Sequence, residues 1–206
     1  MSTPAADRSL LDDALELAEM AADITLRWFG DRAIEVDRKG DDSPVTVADR
    51  AAEAAVREAL AERRPHDTVI GEEAGISEGT SGVRWVVDPI DGTRSFVRGV
   101  PLYSSLLGVF DAHGPAVGVI SIPALDQRIY AARGHGCFDQ DGRPVAVNDQ
   151  DRLDRACLCS SSFDQPWWPN EALARVTTAG CETRTWGDGY GYLLVASGRV
   201  EMMADP

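Results

Sequence analysis

An α+β fold is predicted by the order in which the sequence changes its periodicity. Helical spacing dominates the first sixty residues, short alternating runs separated by turns dominate the middle, and the last quarter mixes the two. No internal repeat or low-complexity segment interrupts this order. Residues 1–150 are expected to form an N-terminal α+β part and 151–206 a C-terminal α/β part, with a boundary near "VNDQDRLDRA".

Residues 7–29 read as a helix, because Leu11, Ala14, Leu15, Ala18, Ala21, Ala22 and Trp28 recur at helical spacing and Gly30 offers a stop. A polar connection follows, with a short strand expected around 34–36. A second helix is expected over 47–63: Thr46 and Asp49 match a T-x-x-D capping box, Ala52, Val56, Ala59 and Leu60 make its inner stripe, and Pro65 ends it. "TVI" and "VRWVVD" are apolar strand runs. Further strands are expected at 105–110, 117–122, 128–132 and 145–147, joined by the turn sequences "DAHGP", "IPALD" and "ARGHG", which suggests an antiparallel meander. Beyond it, 156–160 reads as a strand, 170–178 and 189–197 as helices, and 200–203 as a final strand.

The 206 residues carry a formal net charge of −14. A surface that acidic repels a phosphate backbone, so nucleic acid is excluded as a partner. An anionic substrate would then need a local reversal of field, which bound divalent cations supply. No apolar run approaches the ~20 residues of a membrane span, and the N-terminus lacks a basic start followed by an apolar core; a cytoplasmic protein is expected. Cys137, Cys157, Cys159 and Cys181 have no zinc-site spacing and are expected as reduced, buried thiols. His66, His113 and His135 fall in turn-like segments and are expected to face solvent.

The chemistry is concentrated in "WVVDPIDGTRSF", residues 85–96. Pro89 cannot donate to a sheet and should help end the strand, after which Asp88 and Asp91 can converge. Two carboxylates that close repel each other unless a cation lies between them. Oxygen donors without Cys or His suit Mg²⁺ better than Zn²⁺. Gly92 allows close backbone approach, and a helix starting there would direct free N–H groups at an anion. Thr93 adds a hydroxyl. "IGEEAG" brings Glu72 and Glu73 to the end of a second apolar run, and Asp49 adds a third acidic segment. Taken singly, these are also what a solvated turn, an acidic loop and a helix cap look like.

In order, Lys39 with "SPVTVAD", then "GEE", then "WVVDPIDGTRSF" resemble the magnesium-dependent phosphatases of the inositol monophosphatase family, and the likeness runs on through "GVPLYSSLLGVF" to "WGDGYGYLLVASGRVEMMAD". It implies a layered α/β/α/β/α sandwich of the sugar-phosphatase type. It implies that Glu72, Asp88, Asp91 and the Ile90 carbonyl hold Mg²⁺, of which the family binds two or three. Asp91, Gly92 and Thr93 would meet the phosphate. Thr93 and Glu72, supported by Asp49, would orient the attacking water. Arg94 would help position the substrate, and Asp188 and Asp205 would contact its non-phosphate part. Arg94 after the threonine and Asp188 between two glycines are most similar to the bacterial histidinol-phosphate phosphatases of this fold. The expected partners are a small phosphomonoester and a second copy in a homodimer. Inositol-1-phosphate or another sugar phosphate is the alternative substrate, and a catalytically impaired metal- or phosphate-binding relative the alternative of another class. The family pattern continues beyond "MMAD" to a further aspartate ligand, so the resemblance implies that the last elements, and one ligand of a second metal, are absent from this sequence.

Overall fold

The computed structural model describes residues 3–31, 33–38, 44–163 and 170–205. Lys39 and Ser43 lie outside them. Two compact units are present, Met1–Pro144 and Val145–Pro206.

The first unit begins with α1 (Arg8–Leu26), capped by Asp7, whose carboxylate accepts the Ser9 N–H at 2.9 Å. A two-stranded antiparallel ribbon follows, β1 (Val36–Arg38) with β2 (Pro44–Thr46). Its first strand starts two residues later than the sequence suggests, because pairing begins at Val36 opposite Thr46. Helix α2 (Val47–Arg63) has the expected bounds and the full capping box of Thr46 and Asp49.

Both helices pack on a seven-stranded mixed sheet. Its strands are β3 (Thr68–Gly71), β4 (Gly75–Ser77), β5 (Arg84–Asp91), β6 (Ser104–Asp111), β7 (Gly114–Ile122), β8 (Gln127–Ala132) and β9 (Gly136–Asp139), in the order β4-β3-β5-β6-β7-β8-β9. Only β3 and β5 run parallel; β5 to β9 form an antiparallel meander, of which β6, β7 and β8 were expected and β9 was not. The core lies between the sheet and the helices, where Leu10, Ala14, Leu17 and Ala18 of α1 and Val56 and Leu60 of α2 meet Trp85, Val87, Leu107, Val109 and Val119. Burying each large member is worth about 1.5–3 kcal/mol. Trp85 is fully buried and donates its indole N–H to Asp67 at 2.8 Å.

Residues 145–147, expected as a strand, form none; the chain makes only an isolated bridge, Phe138 to Pro144. Val147 is 66% exposed, so the apolar alternation there faces no sheet.

The second unit holds a three-stranded parallel sheet, order β11-β10-β12, of β10 (Cys157–Cys159), β11 (Glu182–Arg184) and β12 (Met202–Met203). Two helices cover it, α4 (Asn170–Thr178) and α5 (Asp188–Ala196). Val176 of α4 joins the cluster around Leu158, while Leu194 of α5 joins the one around Cys159, so the alternating residues of β10 serve opposite faces. Cys159 and Cys181 are buried, but Cys137 and Cys157 only partly so, and none is bonded to another. Burial, and then the neighbouring Cys157, push the Cys159 thiol up to about 12. No helix among the described residues is long and apolar enough to cross a membrane.

Candidate active site

Strand β5 does not end at Pro89. It continues to Asp91 across a break in register, since Asp88 pairs with Leu106 and Asp91 with Ser104. Three steps along β5 therefore match two along β6. Pro89 has no N–H to donate, which suits it to such a bulge. Between the two aspartates, Ile90 is buried in an apolar cluster with Ala48, Phe96 and Tyr103. Phe29, Phe96 and Tyr103 stack beneath it, with ring centroids 4.9–5.8 Å apart. The Tyr103 hydroxyl meets Thr25 Oγ1 at 3.1 Å, and burial pushes its pKa up to about 12. The aromatic floor fixes Ile90, and Ile90 fixes the acids on either side of it.

Local hydrogen bonds then aim the polar groups. Asp88 Oδ1 accepts the Ile90 N–H at 3.2 Å. Asp91 Oδ2 accepts the Ser104 hydroxyl at 2.6 Å, from a serine with no exposed surface. The Thr93 hydroxyl donates to the Ile90 carbonyl at 3.1 Å. Gly92 takes φ +80°, which L side chains rarely adopt, and leads into the short helix α3 (Thr93–Val97). Arg94 is exposed and lines a cavity of about 550 Å³ with Arg38 and Arg98.

Glu72 reaches this turn from the end of β3. Burial, then the Glu72 and Asp91 carboxylates, push Asp88 up to about 9, and Asp88 and Glu72 share a hydrogen bond. Among the described residues no three acids are spread around a common point in metal-holding geometry. Glu72, Asp88 and Asp91 offer oxygen donors only, and their like charges oppose one another, so a hard divalent cation is what such a donor set fits.

Asp49 is buried in α2, where its Oδ2 accepts the Thr46 N–H at 2.8 Å and the Thr46 hydroxyl at 2.5 Å. Glu53, one turn further, was not singled out by the sequence. Its carboxylate accepts the N–H groups of Glu73 at 2.7 Å and Ala74 at 3.0 Å and pairs with Arg57 at 2.7 Å. A signal for it existed: Asp49, Glu53, Val56 and Leu60 follow one another at helical spacing along the buried stripe of α2.

In the second unit, Ser161 connects the two acids expected to bind substrate. Its Oγ donates to Asp188 Oδ1 and accepts the Asp188 N–H, both at 3.0 Å, and its own N–H donates to Asp205 Oδ1 at 2.8 Å. Gly187 is the cap residue of α5, so Asp188 is its first residue and not its cap. Asp188 sits at φ +56° in the left-handed region, strain of a kind that gathers at functional positions. Nothing in the "SSS" run distinguishes Ser161 from its neighbours in sequence.

His66 and His113 are exposed as expected. His135 is half-buried, with its Nε2 2.9 Å from the Ala6 carbonyl oxygen.

The model of the inositol monophosphatase family matches residues 7–205. The histidinol-phosphatase of Mycobacterium tuberculosis is 44% identical over 199 residues, which span 94% of this chain and 76% of that relative. The histidinol-phosphatase of Chlorobaculum parvum is 40% identical over 194 residues, 93% and 74% of the two chains. The solved structure of the extragenic suppressor protein suhB from Bartonella henselae superposes with a TM-score of 0.88 at 27% identity, covering 96% of this chain and 78% of that one. The chain belongs to the inositol monophosphatase family of phosphoric monoester hydrolases.

Proposed function

We propose that this protein hydrolyses histidinol phosphate to histidinol and phosphate, with Mg²⁺ held by Glu72, Asp88, Asp91 and the Ile90 carbonyl. The likeness to three histidinol-phosphatases, 37–44% identical over at least 93% of the chain, carries the substrate assignment. The oxygen-only donor set and the raised pKa of Asp88 support the cation. When bound, the cation neutralises phosphoryl charge and acidifies the attacking water.

The chain's own groups do the orienting. Asp91 is held by Ser104, so its free geometry is reduced before substrate arrives. The Thr93 hydroxyl already donates to Ile90, which leaves its oxygen as an acceptor for a proton of the attacking water. Glu72 accepts from the same water, and Asp49, fixed by Thr46, supports this end of the site. Asp91, Gly92 and Thr93 meet the phosphate, and Arg94 helps position it. By the family resemblance Asp188 and Asp205 would contact the amino or imidazole end of the substrate, an ionic contact for which an inositol ring has no counterpart. No covalent enzyme intermediate is required. The same reading makes the protein a cytoplasmic homodimer.

The test is phosphate release from histidinol phosphate and from inositol-1-phosphate in wild type and Asp188→Asn. Asparagine tolerates the left-handed backbone and still accepts from Ser161, so stability should hold. The wild type is expected to prefer histidinol phosphate, and the variant to raise its KM by about tenfold or more, in line with losing a charged hydrogen bond, while leaving inositol-1-phosphate nearly unaffected. A wild-type preference for inositol-1-phosphate would sink the substrate assignment.

A further inference from the structure

We infer that Glu53 and Arg57 of α2 are positioning residues that set metal affinity by fixing the loop that carries Glu72. This rests on the proposed role of Glu72 as a metal ligand. The loop lies between two constraints. On its N-terminal side β3 is registered against β5, with Gly71 opposite Val87, the residue before Asp88. On its C-terminal side the Glu53 carboxylate, 1% exposed, accepts the N–H groups of Glu73 and Ala74. Glu72 is the residue between those two anchors.

Arg57 extends the clamp. Its Nε pairs with Glu53 Oε1 at 2.7 Å, its Nη1 donates to Ser77 Oγ at 3.0 Å, and its Nη2 donates to the Gly75 carbonyl. One helix turn therefore grips both the Glu72 loop and the β4 strand that follows it. Gly71 completes the fit, because a Cβ there would lie 2.2 Å from Glu53 Oε1. The carboxylate occupies the space that a side chain at 71 would need. Water could satisfy two loop N–H groups at less desolvation cost. A buried, ionised clamp does something water cannot, which is to hold Glu72 in one place relative to Asp88.

The experiment compares wild type, Glu53→Gln, Arg57→Lys, Glu72→Gln and Leu17→Ala. Leu17 is a fully buried residue of α1 outside the clamp, and its variant is a control for lost stability alone. Mn²⁺ binding is titrated without substrate by electron paramagnetic resonance, and the Mg²⁺ concentration for half-maximal phosphate release is measured alongside kcat. Glu53→Gln is expected to weaken Mn²⁺ binding by about 10–100-fold and to raise the half-activating Mg²⁺ by a similar factor. Its kcat at saturating Mg²⁺ should recover to within a few-fold. Arg57→Lys keeps the charge beside Glu53 but loses the fork to Ser77 and Gly75, so it should show the same change at smaller size; it also serves if Glu53→Gln fails to fold. Leu17→Ala should melt earlier and bind Mn²⁺ as wild type does. Wild-type Mn²⁺ affinity in both clamp variants, with affinity lost in Glu72→Gln, would overturn the inference alone. Wild-type affinity in Glu72→Gln would overturn the ligand assignment beneath it.

Discussion

A methyl group on residue 187 would lie 2.3 Å from the Cα of Ser161 and 2.4 Å from its hydroxyl oxygen. At 191 it would meet Met203 Sδ at 2.4 Å. Gly187 and Gly191 of "WGDGYG" are therefore contact glycines: they let α5 come close to Ser161, which follows β10, and to β12, so that Ser161 can hold Asp188 and Asp205 together. Gly187→Ala is expected to cost about 2 kcal/mol, the size of an overpacked contact against backbone that cannot move aside, and to lower activity by displacing Ser161. Urea unfolding measures the first effect; stability equal to wild type would show that the contact yields. The acids themselves were legible as residue types in a pattern. Ser161 was not, and for Glu53 the helical stripe signalled burial but not a role, because what each bonds to is set by folding across 27 to 44 residues for Ser161 and about 20 for Glu53.

At the scale of elements, legibility followed burial. Helix α2 was readable to its ends because cap, stripe and terminating proline agree. The β5 to β8 strands were readable because they are long and bury apolar side chains. β4 and β11 were missed: each has three residues, lies at a sheet edge and is largely exposed, so neither carries an apolar alternation. The bulge at Pro89 was misread as a strand end because a proline's missing donor has the same meaning for both. Another element-level device is Arg133, after β8. It binds the Pro4 carbonyl at 2.7 Å, the Pro115 carbonyl at 2.6 Å and Asp111 at the end of β6. The Arg133 hydrogen bond holds the Asp111 carboxyl below its ordinary value. A depressed carboxylate contributes stability above its unfolded value of 3.8 and loses it as pH falls through the lower folded value. The melting temperature of wild type should exceed that of Asp111→Asn near neutral pH, with the gap closing below about pH 4. A gap that persists at pH 2 would contradict this.

For the whole molecule, the net charge of −14 and an anionic substrate are compatible only if the field is reversed where chemistry occurs. The Asp88, Asp91 and Glu72 group is where that reversal is needed most, since Asp88 already resists ionisation there. Cation binding should then stabilise the folded chain. At a Mg²⁺ concentration 100 times the dissociation constant the gain is about 2.7 kcal/mol, a rise in melting temperature of about 5–10 °C for a chain of this size. Calorimetry with Mg²⁺ and with EDTA measures it, and identical traces would mean that no cation site forms. The α+β class and the family were legible because three acidic motifs fall in order on strand ends and a helix start. In the second unit, the strands expected at 156–160 and 200–203 are β10 and β12, while β11 was not legible, because three largely exposed residues are too few to carry a period.

The most direct measurement is phosphate release from histidinol phosphate as Mg²⁺ is titrated back into EDTA-treated protein, in wild type and Asp91→Asn. The wild type should be inactive in EDTA and recover with Mg²⁺. Asp91→Asn, having lost a carboxylate that Ser104 holds in place, should fall by about 100-fold or more. Release that is indifferent to EDTA, or undiminished in Asp91→Asn, would contradict a metal-assisted phosphatase built on this turn.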